Sequence, residues 1–142
     1  MKKITIILSI AIITMISAVF TGCRTTKEIP EGLTKAQLIQ RGQDAFSSGD
    51  YKTAEAYYKN VIQNYGDDTE SYIEVKYELG HLYLKTKDYE RAQEAFEEIL
   101  ELYSYASAGD LPASYKKLAE IGMSKIPENK KSKNEASHSE EE

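Results

Sequence analysis

The chain has 142 residues, which leaves room for one domain at most. Its 18 basic residues stand against 23 acidic ones, a formal net charge of −5, and Lys and Arg gather into no stripe. That balance excludes nucleic acid as a partner, because phosphates demand clustered Lys and Arg.

Residues 1–22 have the form of a lipoprotein signal peptide: Lys2 and Lys3 supply a positive start, and Ile4 to Phe20 are almost all apolar or small. Cys23 follows at once and is the only cysteine, so no intrachain disulfide can form. The segment Phe20-Thr21-Gly22-Cys23 resembles a bacterial lipobox, whose Cys thiol receives a diacylglycerol and becomes the mature N-terminus. Small Thr21 and Gly22 fit that motif. Phe20 stands where Leu is usual, a looseness known in some lineages, spirochaetes among them. Two plainer readings stay open, an uncleaved anchor helix of Ile4 to Phe20 and an ordinary secretory signal. The lipobox resemblance implies lipidation at Cys23, a membrane contact through the lipid anchor, and a periplasm-facing place in the cell envelope. Arg24 in place of Asp after the Cys favours the outer membrane over the inner. Loss of Lys2 and Lys3 with the signal leaves 16 basic against 23 acidic residues, a net of −7.

Residues 23–32 read as a polar tether carrying Pro30 and Gly32, and residues 33–126 as the folded domain. Thr34 is the expected N-cap of a first helix, Gln37 completes a capping box, and Leu33 with Leu38 forms a hydrophobic staple. That helix is expected to run to about Ser47, where Ser48-Gly49-Asp50 breaks it and Asp50 caps the next, Tyr51 to Tyr65. A third helix is expected from about Ser71 to Thr86, and a fourth, capped by Asp88, from Tyr89 to about Tyr103. Asp110 is the expected cap of a fifth, with Leu118, Ile121 and Ile126 as its apolar edge and Pro127 as its stop. Nothing reads as a strand, so the fold class is all-α. Residues 127–142 are Lys, Ser, Asn and Glu with little to bury, and are expected to be a disordered charged tail.

Gly42, Asp50, Tyr51, Ala54 and Tyr65 recur at an offset of thirty-eight residues as Gly80, Asp88, Tyr89, Ala92 and Tyr103, with Tyr58 answering to Phe96. A fixed period of this size means one supersecondary unit used twice. Leu79-Gly80, Tyr83, Asp88-Tyr89, Ala92 and Phe96, and in the first unit Gly42, Asp50-Tyr51, Ala54 and Tyr58, resemble tetratricopeptide repeats. Gly42 and Gly80 would let the two helices of a unit approach closely. Gly66 and Ser104 replace the family's closing Pro, and the period exceeds the usual one. Such long repeats look like those of bacterial envelope lipoproteins, such as the lipoprotein component of the β-barrel assembly machinery and the Tol-Pal-associated repeat protein. The resemblance implies a short helical array of two helix-turn-helix units. A fifth, capping helix covers its end, since Ile121-Gly122 echoes Leu79-Gly80; homo-oligomerisation is the alternative cover.

In such arrays the first helix of each unit lines a concave groove that takes a protein partner. Alignment on Gly42 and Gly80 puts Ile39, Gln43 and Phe46 there from the first unit, and Tyr77, His81, Leu84 and Lys85 from the second. Alignment on Gly122 adds Lys116, Ala119 and Met123. Phe46 and Leu84 have a second reading, as core beneath the fifth helix.

His81 and His138 are the only histidines, too few with one Cys for a metal site, and no nucleophile elbow or phosphate loop is present. Asp67-Asp68 and Glu97-Glu98 read as solvated charges, and the eleven Tyr as packing residues with wet hydroxyls. No enzyme activity, cofactor or metal is expected. The sequence points to a lipid-anchored adaptor with a protein partner, in outer-membrane assembly or envelope organisation by resemblance. Alternatives are an accessory lipoprotein of a transporter or secretion system, and a self-assembling structural subunit.

Overall fold

The apolar residues recur at helical spacing, and each run closes into a helix that buries one face on its neighbours. The computed structural model describes residues 28–107 and 109–131. These form α1 (Lys35–Ser47), α2 (Tyr51–Tyr65), α3 (Thr69–Thr86), α4 (Tyr89–Tyr105), α5 (Ala113–Ser124) and a 3-10 turn, Glu128–Lys130, with no strand among the described residues. The expected signal peptide, the lipidation site Cys23, tether residues 24–27 and tail residues 132–142 lie outside the described residues.

Helix starts follow local side-chain chemistry. Thr34 N donates to Gln37 Oε1 at 2.9 Å while Gln37 N donates to Thr34 Oγ1 at 3.3 Å, a complete capping box. Asp50 accepts from Thr53 N, and Asp88 from Arg91 N. Between paired helices the chain reverses through one left-handed residue, Gly49 at φ 79° in the first unit and Lys87 at φ 62° in the second. Two helices are longer than the sequence suggests: α3 begins at Thr69 and α4 continues through Tyr105.

The start of α5 differs from expectation. Asp110 does not cap it; its carboxylate accepts from Ser107 N at 3.1 Å, and the helix begins behind Pro112 with no side-chain cap. Pro112 occupies the N-cap position, where its ring fixes the entry dihedral but offers no side-chain acceptor to the first N–H groups. The apolar edge is also rotated. Ala119 and Gly122 are buried, Tyr115 and Met123 pack beside them, and Ile126 is buried beyond the helix end, while Ile121 is 42 % exposed. Past Pro127, the 3-10 turn stands where the sequence suggests disorder.

The helices pair as α1 with α2 and α3 with α4, α2 meets α3, and α5 lies against both α4 and α3. Glycine governs these approaches. A Cβ at Gly80 would come within 2.6 Å of Phe96 Cε1, and one at Gly42 would run into the Tyr58 ring. A Cβ at Gly122 of α5 would run into Cζ of the same Phe96 ring, so α5 closes over that ring as a lid. Phe96, Tyr58, Ile73 and Ile99 are wholly enclosed. Each such side chain contributes about 1.5–3 kcal/mol relative to exposure.

Polar contacts tie the units together. Lys35 of α1 pairs with Asp68 at 2.9 Å and donates to Ser71 of α3. Glu55 of α2 accepts from Tyr83 Oη of α3 and from Arg91 Nη1 of α4, each at 2.9 Å, and the Arg91 guanidinium lies over the Tyr83 ring. Within the second unit, Glu98 pairs with Lys76 at 2.6 Å and accepts from Tyr72. Glu98 is thus a structural partner rather than only a solvated charge, while Asp68 keeps its solvent exposure and pairs with Lys35 as well. Several Tyr hydroxyls likewise bond to protein instead of water: Tyr65 donates to Leu33 O and Tyr103 to Pro112 O.

Candidate functional site

The first helices of the units, α1 and α3, and the lid α5 present their free faces on one side. Phe46 of α1 meets His81 of α3 with ring centroids 5.1 Å apart, and Tyr51 flanks Phe46 at 5.5 Å. One turn back along α3, Tyr77 lies 6.2 Å from His81 and 6.0 Å from Tyr115 of α5. A run of rings, Tyr51–Phe46–His81–Tyr77–Tyr115, therefore crosses the face, with Phe96 behind Tyr77 at 6.3 Å. All five rings of the run are half-buried, so each keeps one edge open to solvent.

Beside the rings runs an acidic edge. Glu70, Glu74 and Glu78 are four residues apart along α3 and share a face. Gln43 Nε2 of α1 donates to Glu78 Oε1 at 2.8 Å. No ion pair among the described residues reaches Glu70, Glu74 or Glu78. Burial raises the pKa of half-buried Glu74, the Glu78 charge adds to the rise, and Lys35 opposes it. Burial and the same carboxylates raise the pKa of Tyr115; burial and Glu78 raise that of Tyr77. The Tyr58 hydroxyl is buried without a hydrogen-bond partner, and burial together with the Glu78 charge holds it in the protonated form.

Of the residues expected in the groove, Gln43, Phe46, Tyr77 and His81 come together on this face. Ile39 does not line it: at 7 % exposure it belongs to the core. Its counterpart at the same repeat position, Tyr77, carries a longer side chain that reaches the surface where Ile39 ends below it. Leu84 and Lys85 lie farther along α3, where with His81, Tyr89 and Lys125 they line a shallow cavity of about 240 Å³. Leu84 is half-buried and Lys85 exposed. From α5, Lys116 is exposed, Met123 half-buried and Ala119 wholly buried.

Glu74, Glu78 and Tyr115 were missed by sequence reasoning. The alignment on Gly80 holds the signal for the first two, which sit six and two residues before the glycine on the turns that carry Tyr77. Tyr115 needs the observed rotation of α5. Among the described residues, no cluster of three or more His, Cys, Asp or Glu is placed to hold a metal ion, and no helix is long and apolar enough to cross a membrane.

A Tetratricopeptide repeat model matches residues 34–104, the span from the Thr34 cap to the end of α4. The chain belongs to the tetratricopeptide-repeat family. Repeats of this family bind protein partners. An uncharacterized protein of Treponema pallidum (strain Nichols) is 30% identical over 108 residues, covering 74% of this chain and 43% of the relative. The chain therefore spans less than half the length of that curated relative. No solved structure matches this tetratricopeptide-repeat chain.

Proposed function

We propose that this tetratricopeptide-repeat protein is a lipid-anchored, periplasm-facing adaptor that binds a protein partner through the face of α1, α3 and α5, in outer-membrane protein assembly or envelope organisation. The observation that carries the binding reading is the run of half-open rings from Phe46 through His81 and Tyr77 to Tyr115, which crosses helices of different units. Contiguous aromatic surface of this kind suits an extended or helical peptide. Cys23, directly behind an apolar run and two small residues, supports the anchor. The relative belongs to a spirochaete, a lineage where lipoboxes without the usual Leu are known.

Affinity capture of the full-length protein from detergent-solubilised membranes tests the role. Recovery of barrel-assembly components is the expected result; transporter or secretion components, or only further copies of the chain, would replace it with the corresponding alternative. Tyr77→Ala with His81→Ala is expected to lower recovery about tenfold, as central aromatic contacts do. Unchanged recovery from a folded double variant would remove the ring face as the site. Metabolic fatty-acid labelling that persists after Cys23→Ser would remove the anchor.

A further inference from the structure

The carboxylates that pack between the described helices differ in their partners. Glu55, Asp68, Asp88 and Glu98 each have a basic side chain within ion-pair distance. Glu74 and Glu78 have none, although both are half-buried. For Glu74, burial is the largest influence on its carboxyl and is a local cost to the fold that no ion pair offsets.

Glu78 is furnished from behind. Gln43 Nε2 donates to it at 2.8 Å, and burial, then the Glu78 charge, raises the pKa of the wholly enclosed Tyr58 hydroxyl. The Gln43 donor holds the carboxylate from the protein side. The rings of Tyr77 and Tyr115 lie 6.0 Å apart on the same face, and the Glu78 charge acts on both. A carboxylate beside two aromatic faces matches a cation on an aliphatic stem: the charge meets the carboxylates, and the stem and the head lie on the rings.

We propose that the occupant of the groove is a segment of a partner protein that presents a Lys or Arg side chain to Glu74 and Glu78, seated on Tyr77 and Tyr115. This rests on the groove reading given above and narrows its ligand to a basic one. A foreign segment fits better than the chain's own C-terminal basic stretch. There Lys131 is already paired with Glu128, and Glu135, Glu140, Glu141 and Glu142 follow it in the sequence, which the acidic edge would repel.

Selection of a displayed random-peptide library on the immobilised full-length protein at physiological salt tests the inference, followed by anisotropy titration of the peptides recovered. The expected result is enrichment of Lys and Arg, with affinity reduced about tenfold by Glu74→Gln with Glu78→Gln in a protein that keeps its helical content. Peptides that lose binding on Tyr77→Ala with His81→Ala, yet show no basic preference and no response to the Gln variants, would overturn the basic ligand and leave the groove standing. Failure to enrich any peptide above that aromatic variant would overturn the groove itself. Tighter peptide binding after Lys130→Gln, Lys131→Gln and Lys133→Gln together would make the chain's own tail the occupant and overturn the assignment to a partner.

Discussion

Phe96 is held between glycines of two different helices, Gly80 of α3 and Gly122 of α5, and none of it reaches solvent. The ring is thus met closely by the backbone of two helices, and neither can give without moving as a whole. This decides the sign of an otherwise ambiguous substitution. Gly→Ala inside a helix gains about 1 kcal/mol from propensity, whereas forcing a methyl into a filled core costs about 1–3 kcal/mol. With the ring unable to withdraw, the steric cost wins. Gly80→Ala is expected to destabilise by about 1–2 kcal/mol, read as a lower urea midpoint with an unchanged slope. Combined with Phe96→Leu, the loss should be clearly less than the sum of the two single losses, because the smaller side chain leaves room for the methyl. Additive losses, or a more stable Gly80→Ala, would show that the helices are not in this close register.

The two helix pairs turn at equivalent positions with different residues, Gly49 in the first unit and Lys87 in the second, both left-handed. A side chain at such a dihedral costs about 1 kcal/mol, which glycine avoids. Opposite outcomes follow from one geometry: Lys87→Gly is expected to raise the thermal midpoint by ~4 °C and Gly49→Lys to lower it by a similar amount. Equal signs would mean that the two turns are not alike. Elements of this sort were legible in the sequence to the degree that their determinants are local. The Thr34–Gln37 box, the Asp50 and Asp88 caps and the Gly49 turn each need only neighbouring residues. Lys87 was not legible, since its dihedral is imposed by the pairing of α3 with α4 and not by its own preference. The start of α5 was misread because Asp110 has a nearer donor in Ser107 N. The groove was legible in part: glycine spacing placed Phe46, Tyr77 and His81. It also placed Ile39 there, because spacing carries direction but not side-chain length. Glu74 and Glu78 stayed hidden because a sequence does not tell a carboxylate with a cation from one without.

Across the whole molecule, the same division sets how stability responds to pH. Asp88 is held below the ordinary carboxylate range by Arg91, and Asp68 by Ser71 and Lys35. For Glu55, burial pushes upward, but Lys59, Tyr83 and Arg91 together bring it below that range. These groups bind fewer protons folded than unfolded, so their contribution is full above the ordinary carboxylate pKa of about 4 and is lost as pH falls through the lower folded values. Glu74 has the reverse sign: burial first, then Glu78, raises its pKa. Its penalty is full above that raised value and vanishes below about 4.3, where both states are protonated. Glu74→Gln is therefore expected to stabilise the protein at about pH 7, by about 0.5 kcal/mol or less once solvent screening of a half-exposed group is allowed for, ~2 °C in the midpoint. The gain should disappear at about pH 3. Asp88→Asn, which keeps a capping side chain but removes the charge, should lower the midpoint at about pH 7, and that difference should fade in acid. Thermal scans of the three proteins across this range separate the two classes of carboxylate. A Glu74→Gln protein that is more stable yet loses the basic peptide is the pairing expected of a residue kept for its ligand. If the substitution lowers the midpoint at about pH 7 instead, Glu74 serves the fold, and the unpaired acidic edge does not carry a ligand cost.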